Sequence, residues 1–410
     1  MIDVVERQND ILELVSQLDI TPTMYKNADE KYHALASFLE DCGIDAEMYP
    51  HGSFAFGTVV RPSVKNPNAA YDLDFVCQVR ETKDCISPNE LRKIIETALK
   101  SSEQYSSKLQ VYEECYTIEY ADIDGIGFTI DIVPAANETL SRKLELAAKS
   151  ARPDLMNTAV AIPRCNDRRT FTWLTNNPRG FQKWFEEINQ PFLNYNRENR
   201  RHELFKANRH IYASVNDIPV GLERSAMQRV IQILKYHRDV YYLKLHREDN
   251  DTLKPISAII NTLVAEIAKS ANPQLSIFDL LEYVLHELNI YAKQQTLNYD
   301  QFKHIYGARS IIARTKSDQR WIIENPADPE DNLADKWNFN ADIPKYFFLW
   351  VTACENDLIH SLRLPDNQFR TAMDNAFGAT TIQKNWANKY KAINQTAAKP
   401  IVTTSKPFRQ

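Results

Sequence analysis

Two aspartates separated by one residue interrupt an otherwise apolar stretch, Tyr71-Asp72-Leu73-Asp74-Phe75-Val76. Strands send alternate side chains to opposite faces and are poor in Asp. Tyr71, Leu73 and Phe75 should therefore enter a core while Asp72 and Asp74 stand together on the other side. Like charges that close repel unless a cation lies between them. A third carboxylate, Asp131, interrupts an equally apolar segment, Phe128-Thr129-Ile130-Asp131-Ile132-Val133. On neighbouring strands the three make a hard, oxygen-rich site of the kind that holds Mg²⁺. Upstream, His51-Gly52-Ser53-Phe54-Ala55-Phe56-Gly57-Thr58 contains two of only nine glycines in the chain. A Gly-Ser turn opening a short helix offers backbone N–H groups and a hydroxyl to phosphate. A phosphate cradle followed by paired carboxylates is a combination suited to two-metal chemistry on a nucleoside triphosphate.

The order Gly52-Ser53, Asp72-Leu73-Asp74, Asp131 resembles the signature of the DNA polymerase β-type nucleotidyltransferases. Further segments narrow the resemblance to the cGAS/DncV-like nucleotidyltransferases (CD-NTases), kin of cGAS and oligoadenylate synthase. These are Gln232 to Asp239, Lys254 to Ile260, Asn177-Pro178-Arg179-Gly180-Phe181 with Trp184-Phe185, and Asn325-Pro326-Ala327-Asp328-Pro329 with Asn332-Leu333-Ala334. The resemblance runs from about residue 30 to about residue 360 and implies an α+β, bilobal fold: a mixed-sheet catalytic lobe and a helical lobe that closes a nucleotide cleft. It implies that Asp72, Asp74 and Asp131 are catalytic and bind two Mg²⁺ ions (Mn²⁺ as a substitute), with Asp131 also accepting the proton of the attacking hydroxyl. Gly52 and Ser53 are expected on the triphosphate. Lys235 either reaches the β/γ phosphates or snorkels at the surface, and Ser257, capping the next helix, is a further phosphate candidate. The implied substrates are NTPs, ATP among them. The implied product is a cyclic di- or trinucleotide messenger that switches on a separate effector protein in bacterial antiphage (CBASS) signalling, with regulatory partner proteins in some relatives. The same chemistry could instead modify a protein or an RNA 3′ end, or the chain could be a nucleotide-binding sensor without catalysis.

The remaining sequence says what must position these groups. Helices are expected over 3–18 and 23–42, and strands at about 46–51, 70–79, 108–121 and 126–134. Ser87-Pro88-Asn89-Glu90 reads as a capping box starting a helix to about residue 101. The sheet is expected to end near residue 170, and helices to follow at 178–189, 196–212, 222–244, 255–270, 276–294, 340–361, 366–377 and 381–392. The domain reading is thus 1–170 for the catalytic lobe with N-terminal helices, 171–395 for the helical lobe, and 396–410 for a flexible tail.

At 410 residues, 43% of them apolar and 25% charged, the composition suits a soluble globular protein with an ample core. No apolar run reaches membrane-spanning length and the amino terminus does not read as a signal peptide. The six cysteines lack a Cys-x-x-Cys pair, which argues against structural zinc or disulfides and suits a reducing cytoplasm. Cys77 should face the apolar side with Phe75. A net charge of −5 argues against a stable nucleic-acid partner. The basic stretch holding Arg197, Arg200, Arg201, Lys206 and Arg209 reads first as a solvated helix face, and His51 and His237 as structural. Trp321, Trp337 and Tyr346 are aromatic candidates in the lobe facing the cleft, with a core role the commoner one.

Overall fold

The computed structural model describes residues 2–61, 70–123, 126–166, 170–245, 250–307 and 309–391. The expected loop from Arg61 to Ala70 falls largely outside these residues, and the expected tail over 396–410 falls outside them entirely.

The amino-terminal half builds a mixed sheet from β1 (Ala46–His51), β2 (Ala70–Thr82), β3 (Leu109–Val111), β4 (Tyr116–Ile123), β5 (Ile126–Asn137), β6 (Val160–Cys165) and β7 (Phe171–Asn176). The order is β1-β2-β5-β4-β3, with β6 paired to β5 and β7 to β6. Among the described strands of this sheet only β2 and β5 run parallel. Alternation along β2 does what its residue types demand: Tyr71, Leu73, Phe75 and Cys77 enter one core with Phe128, Ile130 and Ile132 of β5. Helices Pro22–Asp41 and Pro88–Ser101 close that core with Leu35, Leu39, Leu91, Ile95 and Leu99. Thr21 and Ser87 start these helices by accepting from the N–H of Met24 and Glu90, and a proline occupies the first turn of each.

Two boundaries depart from expectation. The stretch 108–121 is not one strand but β3 and β4, broken by the turn Tyr112–Cys115, where the Tyr112 N–H donates to the Cys115 carbonyl. Arg92 holds that turn by donating to the carbonyls of Tyr112 and Glu113 at 2.8 and 3.3 Å, its guanidinium lying over the rings of Tyr116 and Phe171. The sheet also continues past residue 170 through β7 to Asn176.

From Pro178 onward the chain is mostly helical. Helix Ala226–Leu243 is the spine of this lobe: Met227, Val230, Ile231, Ile233 and Leu234 are buried, and so are the polar Gln228, Gln232, Lys235, His237 and Arg238, so it is enclosed on nearly every side. It begins at Ala226 rather than 222, because Ser225 and Gln228 form a capping box ahead of it. Helices Ser257–Ala268, Ile277–Ala292, Asp342–Leu358 and Asp366–Phe377 pack around it. The last expected helix is shorter and earlier, Ala379–Trp386, and a helix at Tyr299–Tyr306 was not anticipated. Helix Val4–Gln17, placed with the catalytic lobe by chain order, buries Ile11, Leu14 and Val15 in the helical core. Its Arg7 donates to the carbonyls of Leu362 and Leu364 at 3.0 and 2.7 Å and pairs with Asp366 at 2.5 Å. All six cysteines are free. Among the described residues no helix is long and apolar enough to cross a membrane.

Candidate active site

A cleft of about 1960 Å³ separates the lobes, and both lobes supply its walls. On the sheet side, register decides which acids meet. Parallel pairing of β2 with β5 sets Asp74 beside Asp131 and Asp72 beside Thr129. Antiparallel pairing of β1 with β2 sets His51 beside Asp74, so the next residue, Gly52, lands against the Asp74 carboxylate. A Cβ at Gly52 would stand 2.3 Å from Asp74 Oδ2, and φ there is +65°. Both the space and the backbone conformation therefore require glycine at that point. Ser53 follows in the short helix Gly52–Ala55, and both residues line the cleft with the three aspartates.

The electrostatics of these acids are unsettled by design of the register. Burial, and then the charges of Asp131 and Asp72, push Asp74 up to about 7. Asp72 and Asp131 are also raised, chiefly by burial. Asp72 is the most exposed of the three, so cleft water tempers its shift most. Each of these two is offset by a hydroxyl: Thr129 Oγ1 donates to Asp72 at 2.6 Å and Thr117 Oγ1 to Asp131 at 2.5 Å. Among the described residues no group of three His, Cys, Asp or Glu side chains is so placed that it could hold a metal ion as it stands. The donor set nevertheless fits a hard divalent cation: it is all oxygen, it stands on adjacent register positions, and burial with mutual repulsion raises one member to about 7, a cost that a bound cation would relieve. The two threonines were missed in the sequence. Thr129 lies two residues before Asp131 on the same strand face, which is the signal that could have found it.

On the helical side, Lys235 is 5% exposed and so is not a surface lysine. Its Nζ donates to the Thr58 carbonyl at 3.0 Å, on the turn that carries Gly52 and Ser53. Burial, then the nearby Arg238, pulls Lys235 down to about 7, while Asp74 and Asp72 oppose the shift. Ser257 also lines the cleft, but it does not cap its helix. It is the first helical residue, behind Ile256, and its hydroxyl receives Arg238 Nη1 at 3.2 Å.

Other singled-out residues are structural. Trp321 and Trp337 stack edge-to-face at 5.6 Å in the helical core and neither lines the cleft, while Tyr346 packs against the same core. Arg197 and Arg201 converge on the buried Glu223, and Arg200 donates to the carbonyls of Leu193 and Tyr195, so most of the basic stretch is internally paired. Burial pushes His51 down to about 4, leaving it neutral. His237 accepts the Trp350 indole N–H at Nδ1 (3.2 Å) and faces Asp357 with Nε2 (3.3 Å). The Asn177-Pro178-Arg179-Gly180 segment braces the lobe junction: Asn177 caps helix Pro178–Asn194 through the Gly180 N–H and donates to the carbonyls of Leu155 and Ala327. Ala327 belongs to the second motif, a small hairpin of Glu324–Asn325 and Asp328–Asn332, whose Glu330 pairs with Arg142 and Lys149.

Comparison with known proteins meets this geometry. Residues 46–133, from β1 through Asp131, match the family model described as cyclic GMP-AMP synthase DncV-like, nucleotidyltransferase domain. A c-di-GMP synthase of Roseivirga ehrenbergii is 21% identical over 355 residues, 85% of this chain and 78% of that protein. Among solved structures, the Bradyrhizobium diazoefficiens CD-NTase CdnG in complex with GTP superposes with a TM-score of 0.65 at 20% identity, over 92% of this chain and 97% of that one. Escherichia coli MS115-1 CdnC, in a complex with a HORMA protein, superposes with a TM-score of 0.56 at 14% identity, over 91% and 97% of the two chains. At these identities the structural matches speak for the fold, which is the bilobal α+β fold of the CD-NTases.

Proposed function

We propose that this chain, a nucleotidyltransferase of the DncV-like family, joins nucleoside triphosphates into a cyclic di- or trinucleotide with release of pyrophosphate. The observation that carries the reading is the register that sets Asp74 beside Asp131, with Asp72 on the same face and Gly52 pressed against Asp74. In this reading Asp72, Asp74 and Asp131 hold divalent cations, two Mg²⁺ ions with Mn²⁺ as a substitute. Such ions, when bound, polarise the α-phosphate and steady the pyrophosphate leaving group. In the same reading Asp131 also accepts the proton of the attacking ribose 2′- or 3′-hydroxyl. Gly52 and Ser53 contact the triphosphate from the sheet side. Lys235 exchanges the Thr58 carbonyl for β/γ phosphate, and Ser257, with Arg238 at its hydroxyl, receives the phosphate end nearest the helical lobe.

A c-di-GMP synthase and a GTP complex among the relatives support guanine nucleotides as substrates, and ATP stays within the reading. The HORMA complex of CdnC supports a regulatory protein partner. The product would act in antiphage signalling on a separate effector, in the cytoplasm. The domain reading proposed moves the expected boundary at 170 to the end of β7 at Asn176, with the helical lobe from Pro178 onward also taking in helix Val4–Gln17.

The test is incubation with a four-NTP mixture and Mg²⁺, followed by phosphatase treatment and mass spectrometry. The expected result is a phosphatase-resistant cyclic nucleotide, lost when Asp72 and Asp74 are both replaced by Asn. Label that passes to protein or RNA instead would establish transfer to a macromolecule, and metal-independent nucleotide binding without turnover would establish a sensor.

A further inference from the structure

The spine helix Ala226–Leu243 belongs to the helical lobe, yet three of its side chains hold the glycine–serine turn of the other lobe by its carbonyls. Gln228 Nε2 donates to the Phe56 carbonyl at 2.8 Å, Gln232 Nε2 to Val59 at 2.7 Å and Lys235 Nζ to Thr58 at 3.0 Å. Residues 228, 232 and 235 are four and three apart, so they form one row along the helix. All are buried. The turn they grip is itself closed, with Phe56 N–H on the Gly52 carbonyl and Thr58 N–H on the Ser53 carbonyl. A grip on residues 56–59 thus reaches Gly52 and Ser53 through two hydrogen bonds.

Two residue identities fit this contact. Gly57 has φ +62°, and a Cβ on it would stand 2.5 Å from Gln228 Nε2, so the second glycine of the motif keeps the helix close. Gln228 also completes the capping box: its Oε1 receives the Ser225 N–H at 2.8 Å and its own N–H donates to Ser225 Oγ at 3.1 Å. Glutamate performs that capping role equally well. Only glutamine can cap with its oxygen and, with its nitrogen, donate to the turn.

We propose that Gln228 and Gln232 are positioning residues for triphosphate binding, fixing the Gly52–Val59 turn from the opposite lobe so that it keeps its shape when Lys235 leaves Thr58 for phosphate. The inference rests on the reading of Gly52 and Ser53 as triphosphate contacts. Gln228→Glu keeps the helix cap and turns the Phe56 contact into oxygen facing oxygen. Gln232→Met removes the Val59 contact, together with the bonds of Gln232 to Arg229 and Asp19, without adding charge. In steady-state synthesis with GTP, each variant is expected to raise KM about tenfold with kcat within about twofold of wild type, the effect of one buried donor lost at a binding element. Binding of a non-hydrolysable GTP analogue should weaken in parallel, and thermal unfolding reports how much protein is folded. If Gln228→Glu does not fold, Gln232→Met carries the comparison. Wild-type KM in both variants, or a fall in kcat at unchanged KM, would overturn the proposal, because the contacts would then only stabilise the fold. If the wild-type protein itself neither binds the analogue nor turns over GTP, the site reading falls first and the inference with it.

Discussion

Two clusters of carboxylates flank the turn between β1 and β2, one buried and one facing the cleft, and they are built on opposite principles. Behind the turn, Asp19 pairs with Arg224 at 3.1 Å and with Arg229 at 2.8 Å, and Glu223 pairs with Arg197 and Arg201. Burial alone would raise Asp19, but the two guanidinium groups outweigh it and its carboxyl lies below the usual range. In front of the turn, Asp72, Asp74 and Asp131 face one another with two threonine hydroxyls and with Lys235, whose charge opposes the rise at Asp72 and Asp74 without outweighing it, and all three are raised. The protein neutralises the charges it uses to hold itself together. The acids proposed here to meet a ligand have no ion pair of their own and stay raised, the pattern expected of carboxylates at an active site.

The sharpest way to break this contrast is to remove one acid from each cluster. Asp74→Asn is expected to lower kcat on the order of 10³-fold, since metal-held charge contributes several kcal/mol to a phosphoryl-transfer barrier. It should leave the melting temperature unchanged or higher, because a repulsive charge has gone, and a fall in stability with activity retained would refute the contrast. Asp19→Asn should do the reverse: leaving Arg224 and Arg229 buried without their counter-charge costs about 3–5 kcal/mol, read from the urea midpoint, while kcat per folded molecule stays near wild type.

Two pH experiments sharpen the comparison with smaller effects. Asp74 is protonated below about 7, and a divalent cation needs the carboxylate. Mg²⁺ affinity should therefore fall as pH drops from 8 to 6, by about tenfold per unit below 7, and calorimetry in buffers of different ionisation enthalpy should detect a released proton. A pH-independent affinity would place the metal elsewhere. Asp19 behaves oppositely. Its folded pKa is depressed, so its contribution to stability is present above the unfolded value near 3.8 and is lost as pH falls through the lower folded value. Urea midpoints should be flat with respect to this group above about pH 5 and decline in more acid solution, and the decline should be shallower in Asp19→Asn.

How much of this was legible follows from how local each feature is. Strand alternation is a two-residue property, so Tyr71, Leu73, Phe75 and Cys77 could be assigned to a core, and Asp72 and Asp74 to the other face, from composition alone. The same holds for the helix starts at Thr21 and Ser87, where cap and proline are adjacent in the chain. The break at Tyr112–Cys115 was not visible, because the buried Arg92 that holds it comes from a helix about twenty residues away. Nor was the fate of Lys235: a lysine reaching for phosphate and one snorkelling at the surface look alike along a helix, and its burial against the Thr58 carbonyl depends on a turn of the other lobe.

What the sequence by itself determined is the chemistry on offer: three acids in strand phase, a Gly-Ser turn ahead of them, and arginines enough to pair with the remaining buried carboxylates. Only the tertiary structure decided which acids share a register, that Gly52 must be bare because Asp74 stands 2.3 Å from where its Cβ would be, and that the second glycine answers to Gln228. The reason is range. Side-chain phase along a strand is set by neighbouring peptide units, whereas register, burial and the donor a carbonyl receives are set by segments as far apart as Phe56 and Gln228, which meet only when the lobes pack.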